Sequence, residues 1–98
     1  MSALHRFDAA HRTLKAIARR KPFELYRMQQ QLECYCARWH HFPRSRKYQR
    51  AEALASVCYW EQARRDNPHD HLDRRKLDEA KRVFVKLSLM DAHDRAAH

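Results

Sequence analysis

Residues 22–42 read PFELYRMQQQLECYCARWHHF, and within them Leu25, Met28, Leu32, Tyr35, Trp39 and Phe42 recur at alternating steps of three and four. That spacing puts all six on one face of an α-helix, which turns once in about 3.6 residues. Proline bounds the stretch on both sides. Pro22 is tolerated in a first helical turn, where its missing N–H costs nothing, and Pro43 closes the run. A helix is therefore predicted over 22–42.

Working outward, Ser2 is placed to cap a helix over 2–20 whose apolar face is Leu4, Phe7, Ala10 or His11, Leu14 and Ile17. Pro22 disfavours helical geometry at Lys21 and ends it. Beyond Pro43, Ser45 is placed to cap a helix over 45–65 with a thin, Ala-rich face: Tyr48, Ala51, Leu54 or Ala55, and Val57 or Cys58, with Glu61 or Gln62 at its dry edge. Asp66-Asn67-Pro68 is a turn sequence. Asp70 or Asp73 then caps a helix over 70–91 carrying Leu77, Ala80, Val83, Phe84, Leu87 and Met90, and the pattern is lost from Asp91. Four helices with short connectors define an all-α chain, an antiparallel four-helix bundle forming one domain over 1–98.

Composition agrees. Ninety-eight residues make one domain. Leu, Ile, Val and Phe number only 17, a low count beside a net charge of +9, but Ala, Met, Cys, Trp and Tyr add 26 more apolar residues. Glycine is absent and alanine numbers 14, so hairpin turns are disfavoured and helix favoured. Phosphate-cradling loops, dinucleotide fingerprints and nucleophile elbows all need glycine and are excluded. No apolar run approaches the roughly 20 residues of a membrane span. Three Cys without a leading signal peptide point to a reducing, cytoplasmic setting. The core is small, and Tyr26, Tyr59, Trp60, Val85 and Leu89 form a second apolar flank, so self-association into a homo-oligomer is expected.

Charge is uneven: residues 1–21 carry +5, 22–42 are neutral, 43–66 carry +3 and 67–98 carry +1. One cluster holds Arg12, Lys15, Arg19, Arg20 and Lys21, a second Arg44, Arg46, Lys47 and Arg50, and a third Arg74, Arg75, Lys76, Lys81 and Arg82. Acids interleave in the third, which reads as a solvated face. RSRKYQR, residues 44–50, has four bases and no acid, and it reads as a polyanion contact. Tyr48, Trp39 or Trp60 beside such clusters would add stacking on exposed bases. The eight His add positive charge in mild acid and would tighten that contact.

Cys36 and His40 are four apart, a spacing that can grip a metal from one helical face, but CxCxxxHH has no matching second half. The thiols read instead as small apolar residues. The HDH of residues 69–71 reads as a surface turn. Asp78-Glu79 is the one adjacent carboxylate pair, and its side chains point about 100° apart on a helix. No nucleophile, base and orienting group come together. The chain reads as a non-enzyme with no cofactor, no metal and no small-molecule substrate.

FPRSRKY, Phe42 to Tyr48, resembles the helix-joining turn of the Avd-like four-helix bundle family. These are the accessory variability determinant of diversity-generating retroelements and related bundle proteins encoded in ribosomal intervening sequences. RVFVKL, Arg82 to Leu87, followed by Met90-Asp91, is similar to that family's Arg-hydrophobic-Leu-Leu-Arg-Leu helix. The chain has Arg50-Ala51 where the family carries Leu-Gly, and its extra helix over 2–20 would fill the place of the family's last helix. The resemblance implies a non-enzymatic bundle assembling as a ring that binds a reverse transcriptase and its template RNA. It singles out Arg44, Arg46, Lys47, Arg82 and Lys86. With Arg50 and with Arg19, Arg20 and Lys21 from the first cluster, these are the candidate nucleic-acid contacts, RNA favoured. A second reading is a small phage or mobile-element protein that inhibits a nucleic-acid-processing complex by protein–protein contact.

Overall fold

Pro22, Pro43, Ser45 and Asp70 punctuate the chain as their chemistry requires. In the computed structural model, which describes the backbone of residues 3–96 and the side chains of 4–90, four helices run α1 (Ala3–Arg19), α2 (Pro22–Arg38), α3 (Arg46–Asp66) and α4 (His71–Ala96). Lys21 is extended, at φ −67° and ψ 152°, so α1 stops and Pro22 opens α2 after two intervening residues. Ser45 caps α3 through a long 3.5 Å bond accepted from the Tyr48 N–H. Asp70 Oδ1 starts α4 by accepting from the N–H groups of Leu72 at 2.8 Å and Asp73 at 3.4 Å. The expected cap Ser2 lies outside the described residues. α4 runs to Ala96, beyond the expected end at 91.

α2 stops at Arg38, short of the expected Phe42. Pro43 has no N–H to donate back to Trp39, and its ring disfavours helical geometry at Phe42. The Trp39 carbonyl is served instead by the Phe42 N–H at 3.0 Å, and the Phe42 carbonyl by the Ser45 N–H at 3.0 Å. His40 Nδ1 lies 2.6 Å from the Ala37 carbonyl in the last turn. Loss of one donor thus breaks the helix a full turn upstream.

α3 packs against both α2 and α4, forming a hairpin with each, while α1 lies against α4. α1 and α2 make no extended contact although two residues join them. The core draws on all four helices: Ile17, Leu25, Val57, Cys58 and Leu77 are essentially sealed, with Ala10, Leu14, Ala53, Ala80 and Phe84 around them. Each large side chain sealed in this way contributes about 1.5–3 kcal/mol. The core is tightest where α1 ends and α2 begins. At the opposite end Leu4, Phe7, Trp39 and Phe42 are exposed despite their place on the apolar stripes. There α1 and α2 each have one helical neighbour. Val83, expected in the core, is also exposed on α4.

A charge sits inside this core. Glu61 is 2% exposed and accepts hydrogen bonds from Arg64 Nη2 at 2.8 Å and Arg65 Nε at 3.0 Å. Burial pushes its carboxyl up, but the hydrogen bonds and charges of Arg64 and Arg65 outweigh burial and hold it below the ordinary 4.5. Arg65 reaches further. Its Nη1 donates to the Arg20 carbonyl at 2.8 Å and its Nη2 to the Ala18 carbonyl at 3.0 Å, closing the end of α1.

Two consequences can be measured by denaturant unfolding. Leu25→Ala should cost about 2–5 kcal/mol, whereas Phe42→Ala, on the same stripe but 58% exposed, should stay within about 0.5 kcal/mol. Glu61→Gln should cost about 1.5–3 kcal/mol at neutral pH. Because the folded-state value is depressed, the stabilisation is complete above the ordinary value and is lost as pH falls through the folded one. The gap between wild type and Glu61→Gln should therefore close in acid. A gap that widened there would contradict the ionised assignment.

Candidate nucleic-acid interface

The α2–α3 hairpin carries a groove of about 900 Å³ on one side. Its floor is Met28 and Leu32 of α2, Ala51 and Leu54 of α3, and Phe84 of α4. Arg20, Arg27, Lys47 and Arg50 stand around it, and Glu24 is the one carboxylate lining it among the described residues. The groove is open on this side because α1 leans on α4 and leaves α2 with a single neighbour.

An aromatic row leads out of the groove towards the α2–α3 loop. Tyr35 lines the groove, the Trp39 ring lies 6.3 Å from it, and the Phe42 ring lies 5.8 Å beyond. Trp39 is 43% exposed. The early end of α2 is what frees the last two rings: in a continued helix they would lie along the stripe. Arg44 follows in the loop and Lys47 opens towards the groove, both exposed. Such rings among cations can stack on unpaired bases while the cations meet phosphates.

The expected site residues are not all gathered here. Arg20, Lys47 and Arg50 line the groove. Arg46 is half-buried at the start of α3 and donates to Gln49 Oε1 at 3.2 Å. Arg19 and Lys21 are exposed at the α1–α2 junction and line no described groove. Arg82 and Lys86 lie elsewhere, between α1 and α4. Tyr48 is half-buried, and a hydrogen bond with Glu52, reinforced by burial and the Glu52 charge, raises its phenol. Trp60 is half-buried edge-on to Tyr59, on the other side of the hairpin. Arg27 was missed because residues 22–42 are neutral as a block. Glu24, Arg27 and Gln31 nevertheless recur at steps of three and four, each one position before Leu25, Met28 and Leu32, which marks them as the flank of the apolar stripe.

Among the described residues no three His, Cys, Asp or Glu side chains come together as a metal-holding group, and no helix is long and apolar enough to cross a membrane. The three thiols differ: Cys34 is exposed, Cys36 half-buried and Cys58 buried. The reading of all three as buried apolar residues thus holds for Cys58 alone. Cys34 fails it because it faces away from α3 on the outer side of α2. Burial raises the Cys36 thiol, helped by the charges of Glu52 and Glu33. Burial pushes Cys58 up to about 11 against the opposing charge of Arg20.

No protein-family model matches the chain, and neither a curated protein nor a solved structure matches it.

Since the thiolate is the reactive form, iodoacetamide at about pH 8 should alkylate Cys34 first, Cys36 more slowly and Cys58 only in urea. Peptide mass spectrometry reads the order. Early modification of Cys58 in the folded chain would contradict its burial.

Proposed function

We propose that this chain is a non-enzymatic, basic helical-bundle accessory protein that binds nucleic acid, single-stranded RNA in first place. The observation that carries the reading is the row Tyr35–Trp39–Phe42 running from a cation-lined groove to the Arg44 loop. Phosphate contacts supply affinity through counterion release, and exposed rings supply stacking to unpaired bases. A reverse transcriptase, the partner implied by the Avd-like resemblance, belongs to the same proposal. So does self-association, for which Tyr59 and Trp60 offer a surface on the side of the hairpin away from the groove.

Nuclease-treated protein should bind labelled single-stranded RNA with log K falling steeply against log salt, and duplex DNA more weakly. Arg44→Glu with Lys47→Glu, both exposed, should weaken RNA binding at least tenfold without changing the unfolding midpoint. Trp39→Ala should remove about 1–3 kcal/mol of single-strand binding. Absence of RNA and DNA binding at low salt would overturn the reading and leave inhibition by protein contact in its place.

A further inference from the structure

α1 and α4 enclose a second channel, of about 670 Å³, whose chemistry differs from that of the first. Its floor is aliphatic: Leu14 and Ala18 from α1, Val85, Leu89 and Met90 from α4. Four cations, Lys15, Lys81, Arg82 and Lys86, stand along it, and among the described residues no carboxylate lines it. Leu14 and Ala18 are one helical turn apart, as are Lys81, Val85 and Leu89 in succession. Each wall is therefore a single helix face. The α4 wall, Lys81 to Met90, extends about 13 Å at 1.5 Å per residue, the length of about two and a half turns.

The lining discriminates among occupants. Unpaired bases seek rings to stack on, and the one ring lining this channel is His11, packed against Phe7 at 4.3 Å; the aromatic row lies along α2 and the loop after it. A second copy presenting this same channel would set its cations against these four. A small apolar ligand is normally held in a cavity that buries most of its surface, whereas this channel is open along its length. An amphipathic helix satisfies these features together: its apolar stripe covers the floor, and acidic flanks meet the lysines and arginine.

We infer that the α1–α4 channel is the docking site for an amphipathic helix of a protein partner whose apolar stripe is flanked by Asp and Glu. Val85 and Leu89, the apolar flank of α4 left outside the core stripe, are its floor. Arg82 and Lys86 act here on carboxylates instead of phosphates. The inference does not rest on RNA binding, and either can fail alone.

The test uses the full chain and two fluorescein-labelled synthetic 18-residue helices. Both carry leucines on one stripe; one is flanked by Glu, the other by Lys. Anisotropy should show saturable one-to-one binding of the Glu-flanked peptide and at least tenfold weaker binding of the Lys-flanked one. Arg82→Glu with Lys86→Glu, both exposed, sets two acids beside Lys15 and Lys81 and should abolish that preference. Leu89→Asp should weaken the Glu-flanked peptide at least tenfold, while RNA binding stays within twofold of wild type. The charge reversal keeps the test decisive should Leu89→Asp unfold the chain. Equal binding of the two peptides to the wild type, or no effect of the charge reversal, would overturn the inference. So would a wild-type dimer that Leu89→Asp converts to monomer, displacement of the peptide by oleate, or loss of RNA binding in Leu89→Asp parallel to loss of the peptide.

Discussion

Glu61 brings a carboxylate into the interior of a small helical bundle, and Arg65 makes that placement tolerable. An unpaired buried carboxylate is costly enough that it would take up a proton or draw water in. Here one oxygen, Oε1, is met by two guanidinium groups. The remaining donors of Arg65 go to backbone carbonyls of Ala18 and Arg20, which the helix itself cannot satisfy at its C-terminus. One side chain therefore serves both the buried charge on α3 and the exposed open end of α1. A buried ion pair is weak evidence for net stability, since apolar residues of similar size often serve as well. Its value in this fold is positional: it ties the end of α1 to α3 at a defined point.

That tie has geometric consequences for everything downstream. Only Arg20 and Lys21 separate α1 from α2, so holding the end of α1 at Arg65 also places the start of α2. α3 then takes α2 on one side and α4 on the other, and α1 settles on α4. In a square bundle with every helix paired twice, the two grooves would be sealed by neighbours. Here the sequence-adjacent helices α1 and α2 leave each other uncovered, and a chain with few large apolar residues keeps two partly dry surfaces. Exposure of Leu4, Phe7, Trp39 and Phe42 at the far end follows from the same splaying.

The helices were legible because periodicity and punctuation agreed. Leu25, Ile17 and Leu77 stand where their stripes place them, and Ser45 and Asp70 cap the helices they precede. Two features were harder to read. The stripe from Leu25 to Phe42 is periodic throughout, yet backbone chemistry at Pro43 ends the helix at Arg38, because a missing donor is felt one turn upstream. Pairing order was the other: short connectors suggest that successive helices lie side by side, and the Arg65 clamp that directs α1 to α4 joins residues about 45 positions apart. Glu61 was readable as lying near the dry edge, and Arg64 and Arg65 follow it at the three- and four-residue spacings of helical ion pairs. The clusters of cations were equally plain. What a linear count of charge cannot convey is which cations share a groove, and this separates Lys47 from Lys86 and brings in Arg27 from a block with no net charge.

A positive surface by itself selects only for negative partners, and a phosphate and a carboxylate satisfy it almost equally well. The choice between them is made by what lies between the cations. Around the α2–α3 groove the intervening surface includes rings, two of them freed by the break at Pro43, and rings reward flat, unpaired bases. Along the α1–α4 channel the intervening surface is aliphatic but for His11 and regular at the helical repeat, which rewards another helix. The two surfaces share no lining residue, although Phe84 of α4 reaches into the first. On the two proposals together, the bundle would hold a nucleic acid on one surface and a partner helix on the other.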